Sequence, residues 1–350
     1  MKVRLLFSVF LVLLTSACAQ LGYYGQAVHG QLSVLEQAHP IDDWVSDPAV
    51  DQRLKAKLEL ARQIRRFAVQ QLDLPDNRSY SEYADLKRQF ALWNVVATPA
   101  LSLEPKQWCF PIAGCVSYRG YYSESAAQAY GAKLRQQGYD VQVAGVPAYS
   151  TLGWFSDPLL STFIHYPDGE LARLIFHELA HQKVYAKGDT QFNESFATTV
   201  EQAGVERWLA VAADPKTRQA YVEFEGRQQD FLALLLKYRQ QLAATYASDA
   251  SDQQKIQRKS MIFQSLKDEY QTLKARWGGY IGYDRWFAEP LSNAHLALVA
   301  TYYDFVPGFQ ALLAQQQSFG KFYVAVAKLA AMSKEQRQRR LRELAAQNSQ

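Results

Sequence analysis

The stretch Phe176-His177-Glu178-Leu179-Ala180-His181 decides the fold, because it combines helical spacing with metal-binding side chains. On an α-helix, side chains four positions apart lie on one face at about 5–6 Å, so the imidazoles of His177 and His181 can converge on one ion. Neutral imidazole nitrogens are common zinc ligands. The spacing therefore predicts a helix that carries two ligands of one zinc ion.

Glu178 follows the first histidine directly and is expected to project beside the ion, not onto it. A carboxylate in that position can take a proton from a water molecule that zinc has activated, so we expect Glu178 to be the general base. The competing interpretation is two buried histidines that bond to backbone carbonyls, with Glu178 as a surface charge. A metal ion gives the better reason for burying these polar groups.

A second motif, Phe192-Asn193-Glu194-Ser195-Phe196-Ala197, places Glu194 after His181 with twelve residues between the two. A catalytic zinc takes three protein ligands and keeps one open position. The break at Gly188-Asp189 lets the chain reverse, so that the first turn of a second helix can return beside His181. We therefore expect Glu194 to be the third ligand and Asn193 to support it.

Glu201 lies seven residues after Glu194, on the same face of the second predicted helix. Two roles are open for it. Glu201 is either an alternative third ligand or a partner that orients one of the histidines.

Apolar periodicity predicts a mixture of helices and strands around this site. Helices are expected over Asp51–Leu74, Ser123–Gln137, Glu170–Ala186 with Asp168 as its cap, and Phe192 to beyond Trp208; strands are expected over Leu92–Leu103, broken at Pro99, and Tyr139–Ala144. Beyond Asp214 a long polar stretch to Arg276 and the segments after the aromatic loop Trp277–Phe287 are predicted to be helical. The last helix begins with Ser333 and Gln336 in capping-box spacing.

The last predicted helix carries the basic run from Arg337 to Arg342. Its first interpretation is a solvated helix face. Contact with anionic lipid is the alternative.

The N-terminal residues have the pattern of a signal peptide. Lys2 and Arg4 precede the apolar run Leu5–Leu14, which is too short to cross a bilayer as a helix. The run leads into Leu14-Thr15-Ser16-Ala17-Cys18, which resembles a bacterial lipobox. We therefore expect residues 1–17 to be removed and Cys18 to be acylated. An ordinary secretory signal with an incidental cysteine is the alternative.

Residue 19 bears on the destination of such a lipoprotein. It is Ala19 and not aspartate, which by resemblance to bacterial sorting signals favours the outer membrane. The expected location is the cell envelope, with the chain facing the periplasm.

Cys109 and Cys115 are the two remaining cysteines, and Pro111 and Gly114 between them favour a turn. In an oxidising periplasm the pair could close a small disulfide loop. A free buried pair and a zinc knuckle are the alternatives, but a knuckle needs two further ligands.

The charge of the chain argues against nucleic acid as a partner. The formal net charge of +4 falls to +2 when Lys2 and Arg4 leave with the signal. Such a small excess gives no strong field for a polyanion. After Leu14 no apolar stretch approaches membrane-spanning length, so acyl chains on Cys18 would be the only firm membrane attachment.

A peptidase site also needs groups that bind the substrate. The strand expected over Val141–Thr151 could add a substrate backbone along its edge, with Tyr149-Ser150-Thr151 lining the cleft or forming a plain turn. Glu201 and Asp157 are the acids that could hold a free amino end, but neither is marked by the sequence. Exopeptidase and endopeptidase activity therefore stay open.

A developing oxyanion needs a hydrogen-bond donor opposite the metal. Tyr302, Tyr303 and His295 are candidates by their chemistry, and core packing is the alternative for each.

The two zinc motifs resemble those of the gluzincin metallopeptidases, and Asn193-Glu194-Ser195-Phe196-Ala197 is similar to the third-ligand motif of the zinc aminopeptidases. The connection of twelve residues is shorter than in those enzymes. A nearer resemblance, over essentially the whole chain, is to a family of bacterial lipoproteins named as predicted aminopeptidases. Its motifs are Trp108-Cys109-Phe110-Pro111 with Gly114-Cys115, Tyr118-Arg119-Gly120-Tyr121, Ala148-Tyr149-Ser150-Thr151-Leu152-Gly153-Trp154-Phe155, and the zinc segment through Ala197.

Together these observations predict an α+β chain. A zincin-like domain with a small sheet and paired zinc-binding helices is expected over residues 18–210, and a mostly helical portion over 211–350 should form one wall of the cleft. The resemblance implies a one-zinc peptidase, in particular an aminopeptidase, that acts on peptides in the envelope. The rival hypothesis is an envelope assembly lipoprotein that keeps zinc only as structure, and a hydrolase of cell-wall amides is a third.

Overall fold

Helices dominate the described residues, and the strands among them all lie before residue 161. The computed structural model describes residues 22–111 and 114–348. The predicted signal segment, residues 1–17, and the predicted acylation site, Cys18, lie outside the described residues. The coexistence of many helices with small separate sheets confirms the predicted α+β class.

The part of the chain up to residue 211 contains both helices and strands, and it includes the two helices that carry the predicted metal ligands. Its elements are α1 (22–36), β1 (Ala38–Pro40), α2 (Ile41–Ser46), α3 (Gln52–Leu72), β2 (Glu82–Ala84), β3 (Leu92–Pro99), β4 (Trp108–Phe110), β5 (Gly114–Val116), β6 (Arg119–Tyr121), α4 (Glu124–Gln136), β7 (Tyr139–Val146), β8 (Leu159–Leu160), α5 (Asp168–Lys183) and α6 (Thr190–Val211).

The second half is helical throughout its described elements. They are α7 (Pro215–Ala247), α8 (Asp252–Arg276), α9 (Asp284–Ala288), α10 (Asn293–Ala297), α11 (Val299–Tyr303), α12 (Val306–Gln316), α13 (Phe319–Ala330) and α14 (Lys334–Asn348). None of the helices in the described part of the chain has the length and hydropathy that a membrane span requires.

The sheet nearest the site has the strand order β6-β3-β7, with antiparallel pairing on both sides of β3. Its register places Asn94 opposite Gly120 on β6 and opposite Ala144 on β7. Strand β7 is therefore at an edge of this sheet, and it ends at Val146, short of the predicted Thr151. The other sheets are β1-β2-β8 and the β4-β5 hairpin.

Local capping sets several of the predicted helix ends. The side chain of Asp51 accepts a hydrogen bond from the backbone N–H of Arg53, and Ser123 caps α4 in the same way. The prediction of Asp168 as the cap of α5 is wrong. Asp168 is the first residue of the helix, and its carboxylate accepts a hydrogen bond from Lys57 Nζ at 2.7 Å.

The predicted solvated face of α14 is wrong for Arg337. Only 8% of this residue is exposed, and its guanidinium donates to the carbonyl of Met332 at 2.7 Å and lies 3.7 Å from the carboxylate of Asp189. It also lies over the ring of Phe192. The basic run thus begins with a residue that fastens α14 to the start of α6, whereas Arg340 is on the surface.

The largest apolar core packs the two metal-site helices between elements from both ends of the chain. It includes Leu58 of α3, Phe176 of α5, Phe196 of α6, Phe322 of α13 and Leu341 of α14. Because helices after residue 211 share this core, they help to hold α5 and α6 in place. The domain boundary near residue 210 stays a prediction.

A second core lies in the helical half, where α7 and α8 pack together. Leu235 and Tyr238 of α7 contact a cluster that contains Leu266 and Tyr270 of α8 and Phe287 of α9. This pair of long helices therefore has apolar packing of its own.

Candidate metal centre

A tight connection brings the start of α6 back beside the end of α5. Helix α5 ends at Lys183 and α6 begins at Thr190. Asn193 fastens the turn twice: its Nδ2 donates to the carbonyl of Ala186 at 2.9 Å, and its Oδ1 accepts from the N–H of Ala186 at 2.7 Å. Asn193 thus supports the site through the backbone, since it fixes the turn that places Glu194.

Three donor atoms from the two helices form a compact triangle. Nε2 of His177 lies 3.2 Å from Nε2 of His181 and 3.3 Å from Oε2 of Glu194, and Nε2 of His181 lies 3.6 Å from the same oxygen. Ligands at about 2.0–2.1 Å from a tetrahedral zinc ion are separated by about 3.3–3.4 Å. The three residues predicted as ligands therefore fit one ion of this size, and among the described residues they form a cluster suited to a metal.

The electrostatics of the triangle suit a cation. Burial alone would raise the pKa of Glu194, but the imidazoles of His181 and His177 lower it to about 2. Burial alone would lower the pKa of His177, but the carboxylates of Glu201 and Glu194 raise it to about 10. The carboxylates around His177 thus favour a positive charge at this point.

Glu201 lies on the other side of the His177 ring from the triangle. Its Oε2 is 2.8 Å from Nδ1 of His177, and its Oε1 accepts a hydrogen bond from Arg173 at 3.0 Å. Burial would raise the pKa of Glu201, but Arg173 and His177 lower it. Of the two roles left open for Glu201, this geometry matches the partner that orients a histidine.

Arg173 was not anticipated from the sequence. It lies four residues before His177 on α5, so helical spacing alone places it on the face of the histidines. That spacing was the available signal. Nδ1 of His181, by contrast, is buried without a hydrogen-bond partner in the described part of the chain.

Glu178 and the triangle border one cavity of about 340 Å³. Burial raises the pKa of Glu178, and the imidazoles of His177 and His181 act against that rise. A carboxylate with a raised pKa beside a metal triangle is placed to accept and return a proton.

Tyr302 is one of several tyrosines that line this cavity, and Tyr118 and Tyr185, to which sequence analysis assigned no catalytic role, are among the others. The ring of Tyr302 lies 6.4 Å from that of His177, centre to centre. Burial raises the pKa of Tyr118. The charge of Glu194 and burial raise the pKa of Tyr302, and burial raises the pKa of Tyr185 to about 12. All three phenols therefore stay protonated near neutral pH and can donate hydrogen bonds.

The sequence held weak signals for the two additional tyrosines. Tyr185 follows His181 by four residues, and Tyr118 begins the motif Tyr118-Arg119-Gly120-Tyr121. Without the fold, neither position in the sequence indicates a chemical role for its tyrosine. Their position in the cavity depends on the packing of the sheet against the metal helices.

The other two oxyanion candidates are not in the cavity lining. Nδ1 of His295 accepts a hydrogen bond from the N–H of Ser292 at 3.1 Å and belongs to the capping box of α10. Burial lowers the pKa of His295 to about 4. Tyr303 adjoins Tyr302, and burial with the charge of Glu201 raises its pKa to about 12. His295 is thus a capping residue in this fold.

Asp157 fastens the loop that follows β7. Its carboxylate accepts hydrogen bonds from Thr151 Oγ1 at 2.7 Å, from the N–H of Thr151 at 3.0 Å, and from Gln182 Nε2 at 3.2 Å. Tyr149 and Ser150 of this loop line the cavity. Asp157 therefore shapes one wall of the site and is engaged by hydrogen bonds within the protein.

Cys109 and Cys115 are joined by a disulfide across the β4-β5 hairpin. The hairpin packs on the connection between the metal helices. At Gly114 a side chain would meet the backbone of Gly188, and Lys187 Nζ donates to the carbonyl of Pro111 at 2.6 Å. The hairpin thus braces the turn that places Glu194.

A family model described as "Putative aminopeptidase" matches residues 22–341 of the chain. The chain belongs to this family. The match spans both metal-site helices and extends into α14, so it covers nearly all of the described structure. Membership in the putative aminopeptidase family supports a peptidase-like hydrolase. No curated protein and no solved structure matches the chain.

Proposed function

We propose that this chain is a zincin-like peptidase with one zinc ion. The observation that carries the proposal is the triangle of donor atoms from His177, His181 and Glu194, all within 3.6 Å of one another beside Glu178. Two imidazoles and one carboxylate are a ligand set that catalytic zinc sites use. The description of the family supports peptide bonds as the target.

Zinc held by these ligands would polarise a water molecule and the substrate carbonyl and so lower the pKa of that water. Glu178 would accept the proton of the attacking water on a carboxylate oxygen and pass it to the leaving amine. The raised pKa of Glu178 suits both transfers. Glu201, held by Arg173, would keep the ring of His177 in the orientation that binding needs.

Tyr302 is the first candidate for the oxyanion donor. Its phenol is kept protonated by the nearby carboxylate of Glu194 and by burial, and it lies against the ring of His177. A donor aimed at the developing negative charge stabilises the transition state more than the ground state. Tyr118 and Tyr185 line the same cavity and are the alternatives.

We further propose that the chain acts in the bacterial envelope, anchored through acyl chains on Cys18 to the outer membrane and facing the periplasm. The support is the order of charged, apolar and small residues before that cysteine. Peptides in the periplasm would be the substrates. Replacing Cys18 by serine should release the protein from the membrane fraction.

The test compares the native chain with Glu178→Gln in metal analysis and in cleavage of a peptide library. We expect one zinc ion per chain in both, and a loss of cleavage of about 10²–10⁴-fold in the variant. Glu170→Gln makes the same chemical change on the same helix and is the control, with activity expected near native. Equal cleavage by the native chain and Glu178→Gln would remove Glu178 from the mechanism.

Two other outcomes would indicate the rival functions. An assembly lipoprotein with structural zinc predicts that Glu178→Gln keeps both its zinc and its cellular role. A hydrolase of cell-wall amides predicts cleavage of peptidoglycan fragments in place of free peptides, with the same dependence on Glu178.

A further inference from the structure

Helix α1 carries an apolar stripe on its exposed side. Tyr24, Val28 and Leu32 are 36%, 60% and 47% exposed, and their spacing of four residues places them along one side of the helix. Residues 22–36 contain one charged side chain, Glu36, although 21% of all residues in the chain are charged. A solvent-facing helix normally carries charges on this side. The stripe therefore resembles a surface that is buried against another molecule or against lipid.

The neighbouring side of α1 forms part of the wall of the candidate site. Tyr23 and Ala27 line the same cavity as His177 and Glu178. The ring of Tyr23 packs against that of Phe110, and the guanidinium of Arg119 lies 3.8 Å from its centre. Helix α1 is thus fixed to the cavity on one side and presents apolar residues on a neighbouring side.

Two further exposed apolar residues lie on a loop that lines the cavity. Trp154 and Phe155 are 67% and 46% exposed at the tip of the loop after β7, whose residues Ser150 and Leu152 line the cavity. The loop is held in shape, because Thr151 Oγ1 accepts from the N–H of Phe155 at 3.1 Å and donates to Asp157 at 2.7 Å. Aromatic side chains held exposed in this way are typical of contacts with a membrane interface.

We propose that the stripe Tyr24-Val28-Leu32, together with Trp154 and Phe155, docks on the bilayer surface and sets the cavity beside it. The proposal rests on the acyl anchor proposed for Cys18. Cys18 precedes Gly22 by four residues, and four residues span at most about 14 Å. Acyl chains on Cys18 would therefore hold the first turn of α1 at the interface, where an apolar helix face is stabilised by burial among the lipids.

This arrangement narrows the substrate class of the proposed peptidase. A cavity bordered by two membrane-contacting elements would receive peptide segments that are held close to the bilayer surface. A second copy of the chain is the other occupant that an apolar stripe could take. The proposed acyl anchor on Cys18 favours the membrane over a second copy as the occupant, because it keeps the stripe close to lipid at every protein concentration.

The test places a polarity-sensitive fluorophore on single introduced cysteines in the full-length acylated protein. The positions are Val28→Cys and Trp154→Cys, with Met261→Cys as the control on α8, which is 62% exposed and far along the chain from α1. The native cysteines do not compete for the label, because Cys18 would be acylated and Cys109 and Cys115 are joined. The protein is reconstituted in vesicles of phosphatidylethanolamine and phosphatidylglycerol with or without brominated acyl chains.

We expect brominated lipid to remove most of the emission at positions 28 and 154 and to leave position 261 unchanged. Quenching at position 28 no stronger than at 261, in protein that stays with the vesicles, would overturn the docking and leave the anchor standing. Protein that does not sediment with vesicles would overturn both. Shielding of position 28 from an aqueous quencher in the unacylated Cys18→Ser protein, in buffer without detergent or vesicles and rising with protein concentration, would indicate a second copy and also overturn the docking. Neither readout uses zinc or cleavage, so failure of the peptidase would be seen separately.

Discussion

Replacing Glu201 by glutamine tests how the metal site controls its own protonation. The carboxylate of Glu201 lies 2.8 Å from Nδ1 of His177, and its other oxygen accepts a hydrogen bond from Arg173. Burial acts to lower the pKa of His177, and Glu201 is the largest of the charges that raise it to about 10. An amide has the same shape without the charge, so Glu201→Gln should lower the pKa of His177.

The size of the effect follows from the position of this pKa. At pH 8, about two units below a pKa of about 10, His177 is protonated in the metal-free protein. A zinc ligand must be deprotonated, so binding should release about one proton from His177. Glu194, with a pKa of about 2, is already ionised and releases none. The intrinsic zinc affinity of Glu201→Gln should also fall by about 10–100-fold, because the ring loses its anionic partner.

Calorimetry of zinc binding at pH 8, in two buffers with different ionisation enthalpies, measures the protons released per ion. Fewer protons should leave Glu201→Gln than the native protein. Glu206→Gln is the matched control, since Glu206 is exposed on the same helix, and it should behave as native. The same proton count in all three proteins would refute the role assigned to Glu201.

Three further substitutions test the surroundings of the site. Tyr302→Phe should lower kcat on a cleaved peptide by about 10²–10³-fold with little change in KM, while Tyr303→Phe, outside the cavity lining, should leave both near native. Asp157→Asn weakens the hydrogen bonds that hold the loop after β7. KM should therefore rise by the same factor for peptides with a free amino end and for peptides with an acetylated one. A rise in KM confined to the peptides with a free amino end would make Asp157 an amine-binding group. Arg337→Gln removes the hydrogen bond to Met332 and one of the two cations, with Lys334, that act to lower the pKa of buried Asp189. It should cost about 1–3 kcal/mol in urea unfolding, against less than about 0.5 kcal/mol for Arg340→Gln.

Local sequence patterns predicted the parts of the fold that local physics determines. The spacing of His177 and His181 needs only a helix to place both rings together, and the reversal at Gly188 needs only a short turn. The capping box of Ser333 and Gln336 is present, with hydrogen bonds of 3.2 and 3.3 Å, because it involves neighbours in the chain. The third metal ligand could be predicted for the same reason, since Glu194 lies near the start of the helix that follows the turn.

Features that depend on contacts between residues far apart in the chain could not be predicted from the sequence. Helix α1 was not predicted, since its glycines weaken the helical signal and its stability comes from Tyr23 and Val34 packing inward. The chemistry of His295 fits an oxyanion donor, but its hydrogen bond to Ser292 uses it as a cap. Burial of Arg337 depends on α14 packing on the start of α6, which no pattern within α14 reveals.

The short connection between the two zinc motifs has a structural explanation. Only the residues between Lys183 and Thr190 join α5 to α6, so the second helix must turn back at once. Gly188 adopts a φ of +77°, a conformation that is strained for residues with a side chain. Asn193 forms hydrogen bonds with both the N–H and the carbonyl of Ala186. Longer inserts can reach the same ligand position by many routes, but this connection fixes it through the turn itself. The turn therefore holds Glu194 beside the two histidines, and substitutions that loosen the turn should lower metal affinity although they leave all three ligands in place.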